Sequence, residues 1–275
     1  MTASPRRILG IDFSGATDAG RKIWIAEGRA ARDGAFELHD LRQACELDGG
    51  GVAPKIAIAA LARHITRAPD TIAGCDFPFT LPRSLIEEPS WVDFVQAFPQ
   101  RFGFADAFRS WALAKAPGRE LRRDADRAAG TPFNSYNLRI YRQTWWGIAR
   151  LLHPLVTSGA AIAVPYQSPT RKPRPVLIEA CPACALKAIA LYRPYKGRAD
   201  ALRRQRRTLV AELVARGFLD APAPALARRL TDDAGGDAID AVIAALIAAA
   251  ADVGTPNTPV DAFDGEIYWR LRDIR

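Results

Sequence analysis

The stretch Arg7–Asp12, RILGID, decides how this sequence is interpreted, because it is a short apolar run that ends on an aspartate. Two further runs follow, Lys22–Glu27 (KIWIAE) and Ala35–Leu41 (AFELHDL), and both alternate apolar and polar residues with the period of two that is typical of strands. The connections between these runs are short. They therefore predict an antiparallel meander near the start of the chain.

A helix and a fourth strand are expected after the meander. Lys55–Arg67 repeats apolar residues at helical spacing, and Asp70–Phe77 (DTIAGCDF) is a strand-like run that stops at Pro78. From Ser84 to Pro154 the pattern is helical and rich in aromatic residues and arginine, so we predict a helical insertion over residues 84–154. Breaks within it are expected at Pro99, Gly118 and Pro132.

Strand and helix patterns return after the insertion. The expected elements are a strand at Val176–Glu179, helices at Ala183–Ala190, Ala199–Arg216 and Asp237–Ala251, and an edge strand at Glu266–Trp269. A proline-rich stretch, Ala221–Ala225, leads to the last helix. The whole pattern predicts an α/β fold: a single domain over residues 1–275 with a central mixed sheet flanked by helices.

The composition excludes several classes of protein. With 275 residues, 49% of them hydrophobic and 25% charged, the chain is neither disordered nor fibrous, and its 4 cysteines do not form a disulfide scaffold. The longest apolar stretch, Ala241–Ala251, is about half a membrane span, and the N-terminal residues lack a secretory pattern. We therefore expect a cytoplasmic protein without a membrane partner.

The net charge of +8 permits a nucleic-acid partner without indicating one by itself. More suggestive are arginines in the insertion that lie near Tyr136, Tyr141, Trp145 and Trp146, since cations track a nucleic-acid backbone while aromatic rings stack on bases. Core packing is the alternative explanation of these aromatic residues. The candidate nucleic-acid contacts are Arg122, Arg123, Arg127, Arg139, Arg142, Lys196 and Arg198.

Acidic residues mark the ends of the predicted strands and the start of the last helix. Asp12, Asp76 and Glu179 each end an apolar run, where the carboxyl ends of parallel strands would bring them to one edge of the sheet. Asp237 and Asp240 are three apart and so share one face of the first helical turn. Clustered carboxylates repel one another, and a divalent cation is the usual way to hold them together.

Each of these acidic residues also has a structural explanation. Asp237 follows two glycines and can cap the helix, with Asp240 aligned to the helix dipole. Asp12 and Asp76 can cap turns.

The order of these features resembles a known fold. Three strands, a helix and a strand, with an aspartate on the first strand, resemble the ribonuclease H-like fold. DAIDAVIAALI is similar to the start of the last catalytic helix in RuvC-type Holliday-junction resolvases. GIDFSGA, AGCDFPFTLP, IEACPACAL with YKGR, and GGDAIDAVIAAL resemble in order and spacing an uncharacterised ribonuclease H-like family, domain of unknown function 429, over residues 8–269.

The resemblance implies a nuclease that hydrolyses phosphodiester bonds with two Mg²⁺ or Mn²⁺ ions. Asp12 would bridge the ions, while Asp76, Asp237 and Asp240 would complete the coordination, Asp240 being the preferred ligand of the helix pair. Glu179 would be a further ligand or would support one. RNA, DNA, a branched junction and a small phosphorylated compound all remain open as substrates.

Two other functions stay open on the same residues. Actin-like ATPases and sugar kinases begin similarly, so Asp12, Ser14, Gly15, Thr17 and Lys22 could contact a nucleotide phosphate. Alternatively, the fold persists as a binding module without competent metal ligands.

Two further patterns have structural explanations. The pair Cys181 and Cys184 is best explained as small buried thiols at a strand end. Arginines crowd the helix predicted at residues 199–216, either as a solvated face or as phosphate contacts, and Arg206 falls within its apolar arc, where we expect its stem to snorkel.

Overall fold

The computed structural model describes residues 6–31, 34–168, 172–253 and 263–272. Within these ranges seven strands form one sheet, in the order β3-β2-β1-β4-β6-β5, with β7 also paired to β6. The strands are β1 (Ile8–Asp12), β2 (Trp24–Ala30), β3 (Phe36–Gln43), β4 (Ile72–Asp76), β5 (Ile162–Ala163), β6 (Val176–Ala180) and β7 (Ile267–Tyr268).

The sheet is mixed, as predicted. β1, β2 and β3 form the antiparallel meander, whereas β4 runs parallel to β1, and β6 runs parallel to β4. The edge position of β7 also agrees with the prediction from the sequence. β5 was not predicted, because a strand of two residues is too short to show an alternating pattern.

Helices cover both faces of this sheet. They are α1 (Pro54–Ile65), α2 (Trp91–Arg101), α3 (Ala105–Lys115), α4 (Asp124–Ala129), α5 (Tyr141–Trp146), α6 (His153–Thr157), α7 (Pro182–Ala188), α8 (Asp200–Ala215), α9 (Pro224–Asp232) and α10 (Asp237–Ala250). A π-helical stretch, Gly147–Leu152, joins α5 to α6. None of the helices within the described ranges is long and apolar enough to cross a membrane.

The insertion is helical as expected, and the structure differs from the prediction at two prolines, one inside the insertion and one after it. Pro99 lies inside α2, which continues to Arg101, so this proline does not break the helix where we predicted. The proline-rich stretch at residues 221–225 opens a helix that the sequence analysis missed: Pro224 is the first residue of α9, a position that proline favours because its missing N–H is not needed there.

The two faces of the sheet carry separate apolar cores. Leu9 and Ile11 of β1 pack on the side of α1 and the helical insertion. Ile8 of β1 and Ile178 of β6 pack on the other side, with α8 and α10. This division follows from the alternation of side chains along each strand.

Two glycines bring α10 close to the sheet. A Cβ atom on Gly10 would lie 2.0 Å from the carbonyl oxygen of Ala241, and one on Gly74 would lie 2.4 Å from that of Ala244. Because β1 and β4 carry no side chain at these positions, the alanine-rich face of α10 packs directly on their backbones. The first turn of α10 is thereby placed over the carboxyl ends of both strands.

The prediction for the cysteine pair is confirmed in its burial at a strand end and is wrong in the state of the sulfur atoms. Cys181 and Cys184 are joined by a disulfide bond instead of remaining thiols. The pair lies at the junction of β6 and α7, where the first helical turn brings residues three apart onto one face.

Candidate functional site

Two aspartates end the adjacent parallel strands β1 and β4. The register pairs Asp12 with Asp76, so the two residues are level with each other. Both point to the face covered by α10, because Gly10 and Gly74, two residues earlier, contact that helix. Within the described ranges, neither carboxylate takes part in a hydrogen bond or an ion pair. Gln143 does donate a hydrogen bond to Asp76, but to its backbone carbonyl oxygen.

The first turn of α10 brings two further aspartates to this place. Gly236 occupies the N-cap position, and the N–H of Ala238 donates to Oδ2 of Asp233 at 2.9 Å. The alternative explanation of Asp237 as the cap of this helix therefore does not hold, because Asp233 accepts that hydrogen bond. Asp237 is half-buried and faces the other carboxylates, and Asp240 is buried.

A lysine lies among these carboxylates. The Nζ atom of Lys196 is 2.6 Å from Oδ2 of Asp240 and 3.6 Å from Oδ1 of Asp237. The hydroxyl of Tyr195 donates to the other oxygen of Asp240 at 2.5 Å. The sequence pattern predicted Lys196 only as a nucleic-acid contact, because spacing along the chain does not show that the YKGR motif lies against the start of α10.

Burial and repulsion from neighbouring carboxylates raise the pKa of Asp12, Asp76 and Asp237. Burial and the neighbouring Asp240 raise the pKa of Asp76 to about 8, although Lys196 opposes the shift. Burial, followed by Asp237 and Asp240, raises the pKa of Asp12 well above its usual range. Burial likewise raises the pKa of Asp237, with Lys196 opposing that shift. Asp12, Asp76 and Asp237 therefore hold their protons more tightly than an exposed aspartate does, and a bound cation would favour their ionised forms instead.

Charge removal at Asp76 is expected to stabilise the metal-free protein. The raised pKa means that the folded state holds this proton more tightly than the unfolded state, so the stabilising contribution is present below about pH 4 and is lost as pH rises towards 8. Asp76→Asn should add about 2 kcal/mol or more to the free energy of unfolding at pH 8.5 in EDTA, or about 4 °C or more in Tm.

Thermal unfolding of the wild type and Asp76→Asn at pH 5 and pH 8.5 measures this effect. The gain in Tm should be larger at pH 8.5. The matched control is Asp48→Asn, since Asp48 is exposed and does not line the site, and it should leave Tm unchanged at both pH values. A lower Tm for Asp76→Asn at pH 8.5 would show that the ionised carboxylate stabilises the fold instead.

Glu179 lies level with Cys75, one residue before Asp76, and therefore points to the opposite face of the sheet. Its two oxygens accept hydrogen bonds from Arg123 at 2.5 and 2.8 Å, and the N–H of Phe79 also donates to it. Asp126 binds the other side of the same guanidinium. The three charged side chains are almost completely buried and join the insertion to the sheet.

A cavity of about 780 Å³ opens above the carboxyl ends of the strands. All the sequence-predicted acidic residues contribute to its wall: Asp12, Asp76, Glu179, Asp237 and Asp240. Its basic lining includes Lys22, Arg139, Arg193 and Lys196. Ser14 also lines the cavity. The backbone of Gly15 instead lies directly against the backbone of Arg142.

The predicted nucleic-acid contacts are divided between the cavity and other places. Arg139 and Lys196 line the cavity. Arg123 also belongs to the cavity wall, but it is 1% exposed and bound to Glu179 and Asp126, so its guanidinium is engaged within the protein. The other candidates lie outside the lining: Arg122 binds two backbone carbonyls, Arg127 pairs with Asp124, Arg142 binds Tyr141 and Asp106, and Arg198 is exposed.

The aromatic residues proposed to stack on bases are core residues. Tyr136, Tyr141 and Trp145 are buried, and Trp146 packs against the same core. Core packing, the alternative explanation of these aromatic residues, therefore accounts for their helical spacing in the insertion. Tyr192 is the aromatic residue missed: it is 56% exposed and lines the cavity.

The donor set fits one hard divalent cation. Asp12 and Asp76 offer oxygen ligands without partners among the described residues, whereas Asp240 is held by Tyr195 and Lys196. In that same part of the chain, no group of three or more His, Cys, Asp or Glu side chains is arranged as a metal site. Mg²⁺ commonly binds through one or two carboxylates together with waters and substrate phosphates, which Asp12 and Asp76 can satisfy.

Comparison with known proteins supports part of the sequence-based resemblance. Residues 149–264 match the model of a family described as "Protein of unknown function (DUF429)". The matched segment includes Glu179, Lys196 and both aspartates of α10, whereas Asp12 and Asp76 precede it. No curated protein and no solved structure matches the chain.

Proposed function

We propose that this protein is a metal-dependent hydrolase of phosphodiester bonds in nucleic acid, with Asp12 and Asp76 as the ligands of Mg²⁺ or Mn²⁺. The observation that carries the proposal is the pairing of these two carboxylates, which have no partner among the described residues, at the ends of adjacent parallel strands. They lie on the wall of a cavity whose lining also includes basic side chains. Ligands of α/β sheets bind at this end of the strands.

The strand order supports a ribonuclease H-like arrangement. An antiparallel meander of β3, β2 and β1 continues into the parallel strands β4 and β6, and the aspartate that ends β1 lies in the middle of this order. The packing of α10 across β1 and β4 supports the same assignment, because it brings Asp237 and Asp240 towards Asp12.

Each group of the site has a distinct role in this proposal. A bound divalent ion lowers the pKa of a coordinated water and neutralises charge on the phosphoryl oxygens. Lys22 and Arg139 on the cavity wall contact the phosphate backbone of the substrate. Gln143 donates to the backbone carbonyl of Asp76 and so fixes the end of β4. Glu179 has no ligand role, because Arg123 occupies both its oxygens.

A panel of substrates tests the proposal. Single-stranded RNA, single-stranded DNA, duplex DNA, a four-way junction, a small phosphodiester and ATP are incubated with Mg²⁺, with Mn²⁺ and with excess EDTA. We expect metal-dependent cleavage of at least one nucleic acid and none in EDTA. Cleavage that persists in EDTA, or hydrolysis of ATP alone, would overturn the proposal.

Removal of Arg139 is expected to weaken nucleic-acid binding. Its exposed side chain lines the cavity, so Arg139→Ala should lose about one phosphate contact and lower the slope of log affinity against log salt by about 1. Binding is measured by fluorescence anisotropy across a salt series in Ca²⁺. Arg127→Ala is the control, because this exposed arginine lies outside the cavity and should leave the slope unchanged.

A further inference from the structure

A lysine ammonium engages the acidic first turn of α10. Lys196 Nζ contacts Asp240 at 2.6 Å and lies 3.6 Å from Asp237, while the Tyr195 hydroxyl binds the second oxygen of Asp240. Asp240 is therefore engaged on both oxygens by groups of this chain. A positive charge already lies beside two of the carboxylates that the resemblance assigns to metal coordination.

A buried arginine fixes the backbone on both sides of this lysine. Arg206 of α8 is 2% exposed, so its guanidinium does not snorkel to solvent as we predicted. It donates to the carbonyl oxygens of Tyr195 at 2.7 Å, Gly197 at 2.9 Å and Thr231 at 2.8 Å.

Arg206 pairs with no carboxylate among the described residues. Burial of a guanidinium without a counter-charge costs free energy. In return, its hydrogen bonds hold the backbone of residues 195–197 in place. The N–H of Gly197 also donates to the carbonyl of Ala234 at 2.6 Å, which ties the segment to the loop before α10.

The ammonium remains accessible to a ligand. The Lys196 side chain is 53% exposed and lines the cavity, whereas the side chain of Asp240 beneath it is 6% exposed. Lys196 can therefore hold Asp240 on one side and a phosphoryl oxygen on the other.

We propose that Lys196 is the second cation of this site, which therefore takes one divalent ion at Asp12 and Asp76 and uses the ammonium in place of another. This inference rests on the proposed function. Lys196 contacts the substrate phosphate directly, and Arg206 is a positioning residue that acts through the backbone of residues 195 and 197.

The number of bound ions tests this inference without any measurement of activity. Isothermal titration calorimetry and the electron paramagnetic resonance of free Mn²⁺ give the stoichiometry for the wild type, Lys196→Met and Lys196→Arg, each first shown by circular dichroism to be folded. We expect one ion in the wild type, one in Lys196→Arg, and two in Lys196→Met, because removal of the ammonium frees Oδ2 of Asp240 and Oδ1 of Asp237 for a second ion.

The possible failures are distinguishable. Two ions in the wild type, or one ion in both the wild type and Lys196→Met, would overturn the role of Lys196 and leave the metal-dependent function standing. No binding of Mn²⁺ to the wild type would overturn the proposed function together with this inference.

Discussion

Replacing Asp12 by asparagine is expected to lower the rate of metal-dependent hydrolysis by more than about 100-fold. Asp12 lies level with Asp76 at the end of the adjacent parallel strand, and its carboxylate has no partner among the described residues that could explain it as a structural group. Asparagine keeps the size of the side chain and removes the charge that would bind the ion. Initial rates over a range of Mg²⁺ concentrations measure the effect.

A matched variant separates loss of the site from a general effect of the substitution. Asp48→Asn makes the same chemical change at an exposed aspartate outside the cavity, and it should retain the wild-type rate. Equal rates for Asp12→Asn and Asp48→Asn would remove Asp12 from the reaction.

Replacing Arg123 by methionine is expected to destabilise the fold by about 3–5 kcal/mol. This arginine neutralises Glu179 and Asp126, both of which are buried, and its removal leaves two carboxylates without their cation. A loss of this size corresponds to a decrease in Tm of about 10 °C. Denaturant unfolding followed by circular dichroism gives the free energy of unfolding.

The neighbouring arginine is the control for this experiment. Among the described residues, Arg122 binds only the backbone carbonyls of Thr131 and Pro132, so Arg122→Met should cost less than about 1.5 kcal/mol. Adding Glu179→Gln to Arg123→Met should recover part of the lost stability, since it removes one of the unpaired charges. A loss below about 1 kcal/mol for Arg123→Met would contradict the structural role of this cluster.

The strand pattern was sufficient to predict the two strands that carry Asp12 and Asp76. The runs that end at Asp12 and Asp76 are short and apolar, and their order along the chain predicts an α/β sheet, which the structure confirms. The side-chain direction of Glu179 could not be predicted in the same way. It depends on the register of β6 against β4, which is set by pairing between residues about 100 positions apart.

The contacts of the charged residues depend on the tertiary structure, so they cannot be predicted from the spacing of these residues along the sequence. Arg122 and Arg123 are adjacent and identical in type, but one binds backbone carbonyls and the other is buried between carboxylates. The role of Lys196 depends on a loop that Arg206 and Ala234 hold against α10. The position of Arg206 within the apolar arc of its helix was a sign in the sequence that this arginine is buried.

The position of a bound ion tests the central claim most directly. Crystals of the protein soaked in Mn²⁺ and measured at a wavelength that gives anomalous scattering from manganese would locate it. We predict an anomalous peak coordinated by one carboxylate oxygen of Asp12 and one of Asp76, and its loss in Asp12→Asn. A peak bound elsewhere, or an unchanged peak in that variant, would contradict the assignment of these two aspartates as the metal ligands.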